Sequence, residues 1–289
     1  MAKGIREYNK KLASMRNTLK MTKTMKMVSA SKLRRAQDAQ RKSKAYANRV
    51  SEMIGRLAAS VDPKSHPLLT PRSNPTKALL LLFTSDKGLC GAFNNGIIRQ
   101  TDLWLQRMQG QYDVINMSFC GRRGFAYFQH RVKVDTFFED VTANPQFSDA
   151  SLIAGELIRS FVAGEYDEVF IACNEFISPL KQVPFFQKLL PLEPVEFSKD
   201  VPEKSPEYIF EPKQEELLNA LVPKIVRFKI YYSLLENAAG EHGARMTAMD
   251  NATTNCTKLI DHYTLMRNRA RQAAITTELI EIISGAEAL

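Results

Sequence analysis

The residues best suited to chemistry lie in one short turn, Thr84-Ser-Asp-Lys-Gly-Leu-Cys-Gly-Ala-Phe-Asn, which follows an apolar run and precedes a helical pattern. Phosphate-binding loops occupy this kind of strand-to-helix turn, because unpaired backbone N–H groups at a helix start attract anions. The glycine spacing does not fit that use. Neither GxGxxG nor GxxxxGK(S/T) occurs, and Gly88 and Gly91 suit a tight turn and close packing better than a phosphate cradle. Asp86 and Lys87 are adjacent, but a lone acid–base pair in a turn is ordinarily solvated. GxSxG, HExxH and paired carboxylates at a recognisable spacing are absent. The four cysteines, Cys90, Cys120, Cys173 and Cys256, form no CxxC pair and match no zinc spacing. They are expected as buried free thiols, and His242 as a satisfied interface residue. The chain therefore offers no catalytic constellation, metal site or cofactor site.

The elements that position this turn alternate. Ala78 to Phe83 reads as a strand buried on both faces, as in parallel sheets. A helical pattern covers Ala92 to Met108, a strand Tyr112 to Phe119, a short helix Arg122 to Gln129 and a strand Val132 to Phe138. A helix follows over Ser148 to Ala163, with Ser148 or Asp149 as its N-cap, then a strand over Glu168 to Phe176. Val183 to Leu190 fits an edge strand, and 193–212 carries four prolines and reads as a returning loop. This order predicts a Rossmann-like α/β domain over 76–212.

Both ends have another character. All 13 prolines lie between Pro63 and Pro223, so 1–60 and 213–289 are nearly free of the residue that breaks helices. In the first segment Ile5, Leu12, Leu19, Lys26, Leu33 and Gln40 recur every seven residues, beside Tyr8, Met15, Thr22, Ser29, Ala36 and Ser43. In the last, Leu221, Phe228, Leu235, His242, Met249, Cys256, Tyr263 and Ala270 do the same. Sustained heptads predict a coiled coil, here antiparallel between N- and C-terminal helices. Pro223 is expected to kink the second helix, and Gly240 and Gly243 to be weak points of about 1 kcal/mol each.

Charge separates the ends. Residues 1–60 carry 16 Lys/Arg against 3 Asp/Glu, giving +13, whereas 213–289 carry 9 of each. A basic helix seeks an acidic partner: a protein surface, an anionic membrane or nucleic acid. A basic coiled-coil nucleic-acid-binding protein is the alternative function. Against it, no aromatic residue interleaves with the cations between Lys10 and Lys44. An α/β enzyme with helical arms is a third possibility. The first-segment heptads continue through Ala47 and Ile54 and through Val50 and Leu57, which argues against a transit peptide, and no apolar run approaches the 18 residues of a membrane span.

Four blocks carry a family resemblance. They are Asn17 to Gln37, the turn Thr84 to Asn94, Glu241 to Thr253, and Ala270 to Ala286. Together they resemble the gamma subunit of F-type ATP synthase over nearly the whole chain, in order. The resemblance implies a non-catalytic rotor shaft inside a ring of three alpha and three beta subunits. Its Rossmann-like domain would lie beside the epsilon subunit and on the membrane c ring. It implies that Met25, Arg245, Gln272 and Thr276 take part in coupling, and that Arg271 and Gln272 meet the beta catch loop. Lys23, Lys26, Arg34 and Arg35 would face an acidic loop of beta, and Tyr208 would lie near epsilon and the c ring. Lys26 stands where many relatives carry Glu. The cysteine-bearing insert of chloroplast relatives is absent. A peripheral location on the cytoplasmic side of a bacterial inner membrane follows from the same likeness.

Overall fold

The structure, a computed structural model, describes residues 2–60, 66–192 and 214–287. The elements in chain order are α1 (Ala2–Ser60), β1 (Lys77–Phe83), α2 (Phe93–Met108), β2 (Val114–Cys120), α3 (Arg122–Phe128), β3 (Lys133–Phe138), α4 (Phe147–Val162), β4 (Glu168–Ser178), β5 (Lys181–Leu190) and α5 (Gln214–Glu287). By contact they form two units: Met1–Ala30 with Arg245–Leu289, and Ser31–Ala244.

The larger unit holds a five-stranded sheet in the order β3-β2-β1-β4-β5. The first four strands are parallel, and β5 pairs antiparallel with β4 at the edge. Side chains alternate across a strand, so β1 serves two cores. Leu79, Leu81 and Phe83 pack with Ile153, Leu157 and Phe161 of α4 and with Val222, Val226 and Ile230 of α5. Ala78, Leu80 and Leu82 pack with Ile97, Ile98 and Trp104 of α2 and with Phe119 and Phe128. Ala78 to Phe83 are fully buried, as the uninterrupted apolar run required. Truncating one such leucine to alanine costs about 2–5 kcal/mol.

At the entry to β1, Asp167 Oδ2 accepts the backbone N–H groups of Thr76 and Lys77, each at 2.9 Å, and its Oδ1 accepts Arg72 Nη1 at 2.8 Å. Burial acts to raise this carboxyl's pKa. The two N–H groups and the guanidinium outweigh it and hold the pKa below the ordinary value.

Several sequence expectations need correction. The N-cap of α4 is Gln146, not Ser148 or Asp149. Asp149 sits in the first turn, where its carboxylate accepts the Gln146 N–H at 2.9 Å, the acidic half of a capping box. The strand expected from Tyr112 begins at Val114. Pro223 does lie within α5, near its start, as the sequence placed it. Tyr208 and the loop 193–213 lie outside the described residues.

Candidate functional site

Two places invite a function: the crevice at the carboxyl ends of the sheet strands, and the outer surface of the paired helices. In an open α/β sheet a ligand enters where neighbouring connections diverge. Here that point is at the carboxyl ends of β1 and β4. The turn after β1 is closed upon itself. Ser85 N donates to Asn94 Oδ1 at 2.9 Å, Asn94 Nδ2 donates to Ser85 Oγ at 2.7 Å, and Ser85 Oγ lies 2.7 Å from the Lys87 carbonyl. Gly91 turns the chain at φ +58°, and a Cβ on Gly88 would meet the Arg123 guanidinium at 2.9 Å. Asp86 is not simply solvated. It accepts the Arg122 N–H at 3.0 Å and the Thr142 hydroxyl at 2.7 Å, tying the turn to α3 and to the loop before α4.

Helix α5 covers the crevice. Asn237 Nδ2 donates to the Thr84 carbonyl at 3.1 Å. A Cβ at Gly240 would stand 2.8 Å from the Phe93 ring, and one at Gly243 would stand 3.0 Å from the Phe176 ring and 3.2 Å from Pro179 Cα. These glycines, expected to weaken the helix, instead allow its backbone to lie against the domain. Phe93 is itself buried with Cys90 and Ala244. Where a dinucleotide would lie in a Rossmann fold, this protein places a helix.

Beside the crevice, the buried carboxylate of Glu236 accepts the Phe176 N–H at 2.7 Å and a hydrogen bond from Gln40 of α1. Desolvation raises its pKa, although the Phe176 N–H opposes the rise. All four cysteines are buried thiols outside any disulfide, and burial, aided by the Glu236 charge, pushes the Cys173 thiol up to about 12.

In the smaller unit α1 and α5 run antiparallel. Tyr8 meets Tyr263 with ring centroids 6.4 Å apart, Thr253 Oγ1 bonds Thr22 Oγ1 at 2.8 Å, and Lys26 Nζ pairs with Asp250 at 2.6 Å. Of the seam positions read from the heptads, Leu12, Thr22 and Ser29 on α1 and Met249 and Cys256 on α5 are buried, whereas Ile5, Tyr8, Met15, Leu19, Lys26 and Tyr263 are half-buried. Lys26 thus spends its charge on Asp250, a partner the sequence did not indicate. Lys23 is exposed and Met25 half-buried. Arg245 is buried, whereas Arg271, Gln272 and Thr276 are exposed, with the Thr276 hydroxyl donating to the Gln272 carbonyl at 3.0 Å. Arg34 and Arg35 are exposed and belong to the larger unit.

Continuing that antiparallel register from Tyr8 and Tyr263, α1 runs out opposite about residue 270 of α5. Beyond it Leu279, Ile280 and Ile282 are more than half exposed. Near the middle of the basic helix Met21 and Met27 are each 65% exposed. Apolar groups standing clear of a core in this density mark an interaction surface. The signal was present in the sequence, since Ile275 to Ile283 is apolar on more than one face, but only the register showed that no described residue of α1 lies opposite it. Among the described residues no helix is long and apolar enough to cross a membrane, and no His, Cys, Asp and Glu side chains gather to hold a metal ion.

A family model described as ATP synthase matches residues 4–289. The ATP synthase gamma chain of Geobacter metallireducens is 45% identical over 285 residues, 99% of this chain and 98% of its own. The chain belongs to the ATP synthase gamma chain family. The gamma chain of Anaeromyxobacter sp. is 43% identical over 289 residues, 99% of each chain. Among solved structures, a chain of the Tetrahymena thermophila mitochondrial ATP synthase central stalk and c-ring superposes with a TM-score of 0.61 at 26% identity. It covers 80% of this chain and 99% of that one. A Euglena gracilis mitochondrial ATP synthase chain shares the fold, with a TM-score of 0.65 at 18% identity, covering 100% of this chain and 95% of that one.

Proposed function

We propose that this chain is the central rotor shaft of an ATP synthase. By rotation it couples ion flow through a membrane c ring to ATP synthesis or hydrolysis at the beta subunits. The observation that carries this reading is the antiparallel helix pair of the smaller unit, basic and apolar on its outer faces, in a chain that matches gamma chains from end to end. Such a surface has no work to do inside the chain itself. Its partners are the alpha and beta subunits, three of each in a ring, the epsilon subunit and the c ring. The subunit is peripheral, on the cytoplasmic side of a bacterial inner membrane. A division of labour goes with this, between shaft helices 1–60 and 213–289 and a Rossmann-like domain over 76–212.

The subunit is itself non-catalytic. Support comes from α5, which lies over the crevice through Asn237 and Gly240. Its effect on beta is by differential contact. A bistable neighbour shifts only as far as the shaft binds one of its states more tightly than the other, and an asymmetric shaft offers each neighbour a different face. Lys23, Arg34 and Arg35 supply exposed positive charge toward an acidic loop of beta. Lys26 supplies less, being shared with Asp250. Met25 and Arg245 act in coupling, and Arg271, Gln272 and Thr276 present polar groups on an open helix face. Tyr208 belongs to the epsilon and c-ring side of this reading.

ATPase activity of alpha and beta subunits reconstituted with and without the chain tests the proposal. The expected result is a faster, coupled enzyme in its presence. An unchanged rate and unchanged coupling would overturn it.

A further inference from the structure

A cavity of about 340 Å³ lies within the larger unit, between α1, α5 and the loop that precedes α4. Its apolar lining is made of small or compact groups: Ala36 and Ala39 of α1, Leu235 and Ala238 of α5, and Pro145. Two cations of α1, Lys32 and Arg35, stand at positions i and i+3, so both reach the same side of the helix. The Asn144 amide also lines the space, and none of the lining residues is acidic. Both cations are exposed, and no described residue gives either of them an ion pair or hydrogen bond. Lys26, on the same helix, does have an acid opposite it. A second cavity of about 400 Å³ near the end of α2 is different in kind, because Asp102 and Asp113 share its lining with Arg131.

We propose that the Lys32–Arg35 cavity binds a small organic anion, with a phosphate or carboxylate head and a compact apolar body. The guanidinium of Arg35 offers a planar fork of donors that matches either head group, and Lys32 adds a second charge. The alanines and Leu235 leave space that an apolar body fills with release of water. The volume lies at the lower end of the range of about 300–1,000 Å³ usual for small-molecule sites. An occupant would touch α1, α5 and the domain loop at once.

The test is isothermal titration of the full-length chain, at fixed ionic strength, with phenyl phosphate, benzoate and inorganic phosphate. Saturable 1:1 binding of either aromatic anion is expected, and the tighter of the two identifies the preferred head group. Inorganic phosphate should bind more weakly. Arg35→Ala should weaken the aromatic anion about tenfold, the scale of one lost charge-assisted hydrogen bond, and Lys32→Ala should weaken it similarly. Arg34→Ala, which removes a neighbouring exposed cation that does not line the cavity, should leave binding unchanged. Because these side chains are exposed, each variant is expected to melt like the parent, which circular dichroism checks. The proposal is overturned if neither aromatic anion saturates, or if inorganic phosphate binds as tightly as they do. It is also overturned if Arg34→Ala loses as much as Arg35→Ala, since the basic helix as a whole would then be the attractor.

Discussion

In the unit of Met1–Ala30 and Arg245–Leu289, the contacts across the helix pair include a hydroxyl pair, Thr22 with Thr253, and an exposed ion pair, Lys26 with Asp250. In the Ser31–Ala244 unit, β1 is buried on both faces between two apolar layers, and α5 presses glycine backbone against Phe93 and Phe176. One region is a thin seam with much of its apolar surface turned outward; the other is a packed core. Stability should therefore reside in the second and recognition in the first. A surface that must meet changing neighbours gains nothing from burying its side chains internally.

The sharpest way to break this contrast is at Gly121. Its φ is +103°, and a Cβ there would lie 2.3 Å from the Thr84 carbonyl oxygen. Gly121→Ala combines left-handed strain with a backbone clash, so a loss above about 4 kcal/mol is expected. Denaturant unfolding followed by Trp104, the single tryptophan, reads it directly. A variant as stable as the parent would show that the packed core does not dictate stability.

Asp167→Asn comes next. It removes a charged acceptor from Thr76, Lys77 and Arg72, for an expected loss of about 1.5–3 kcal/mol at neutral pH. The sign with pH is fixed. A carboxyl with a lowered folded pKa stabilises fully above the ordinary value near 4, and loses that contribution as pH falls through the lowered one. Acid unfolding curves should thus be flatter below about pH 4 in Asp167→Asn than in the parent. An identical acid limb in both would remove Asp167 from the account.

Gly240→Ala sharpens the comparison within one helix. Its Cβ would meet the buried Phe93 ring at 2.8 Å, and overpacking of this kind costs about 1–3 kcal/mol. Gly285, further along α5, has open space around its position. There the same substitution should raise helix stability by up to about 1 kcal/mol, read as a higher thermal midpoint or greater helicity in circular dichroism. Equal effects at the two glycines would contradict the distinction between the regions. The smallest effect is expected at the seam. The side chains of Lys26 and Asp250 are 43% and 55% exposed, so Lys26→Ala should change stability by less than about 1 kcal/mol, with any larger effect confined to ATPase coupling.

The element pattern of the domain was legible because it is carried by local periodicity. The apolar run of β1 and the heptads of α1 and α5 announced themselves. The cap of α4 was not legible, since serine and aspartate near a helix start are good caps in general, and only the path of the chain through Gln146 gave Asp149 its other role. Gly240 and Gly243 were misjudged for a related reason: helix propensity treats them as defects, and the rings they make room for lie far away in sequence at Phe93 and Phe176. Asp86 looked solvated because Arg122 and Thr142 are not its neighbours in the chain.

The sequence by itself determined where the helices and strands lie, that the ends pair in a seam, and which family the chain resembles. These depend on spacing within short segments, or on blocks read in order. Only the tertiary structure decided that Lys26 is matched by Asp250, that α5 covers the crevice of the sheet, and that α5 continues past the start of α1 with its isoleucines uncovered. Those are matters of register between segments more than a hundred residues apart, where a shift of a few residues changes every partner while leaving the local pattern as it was.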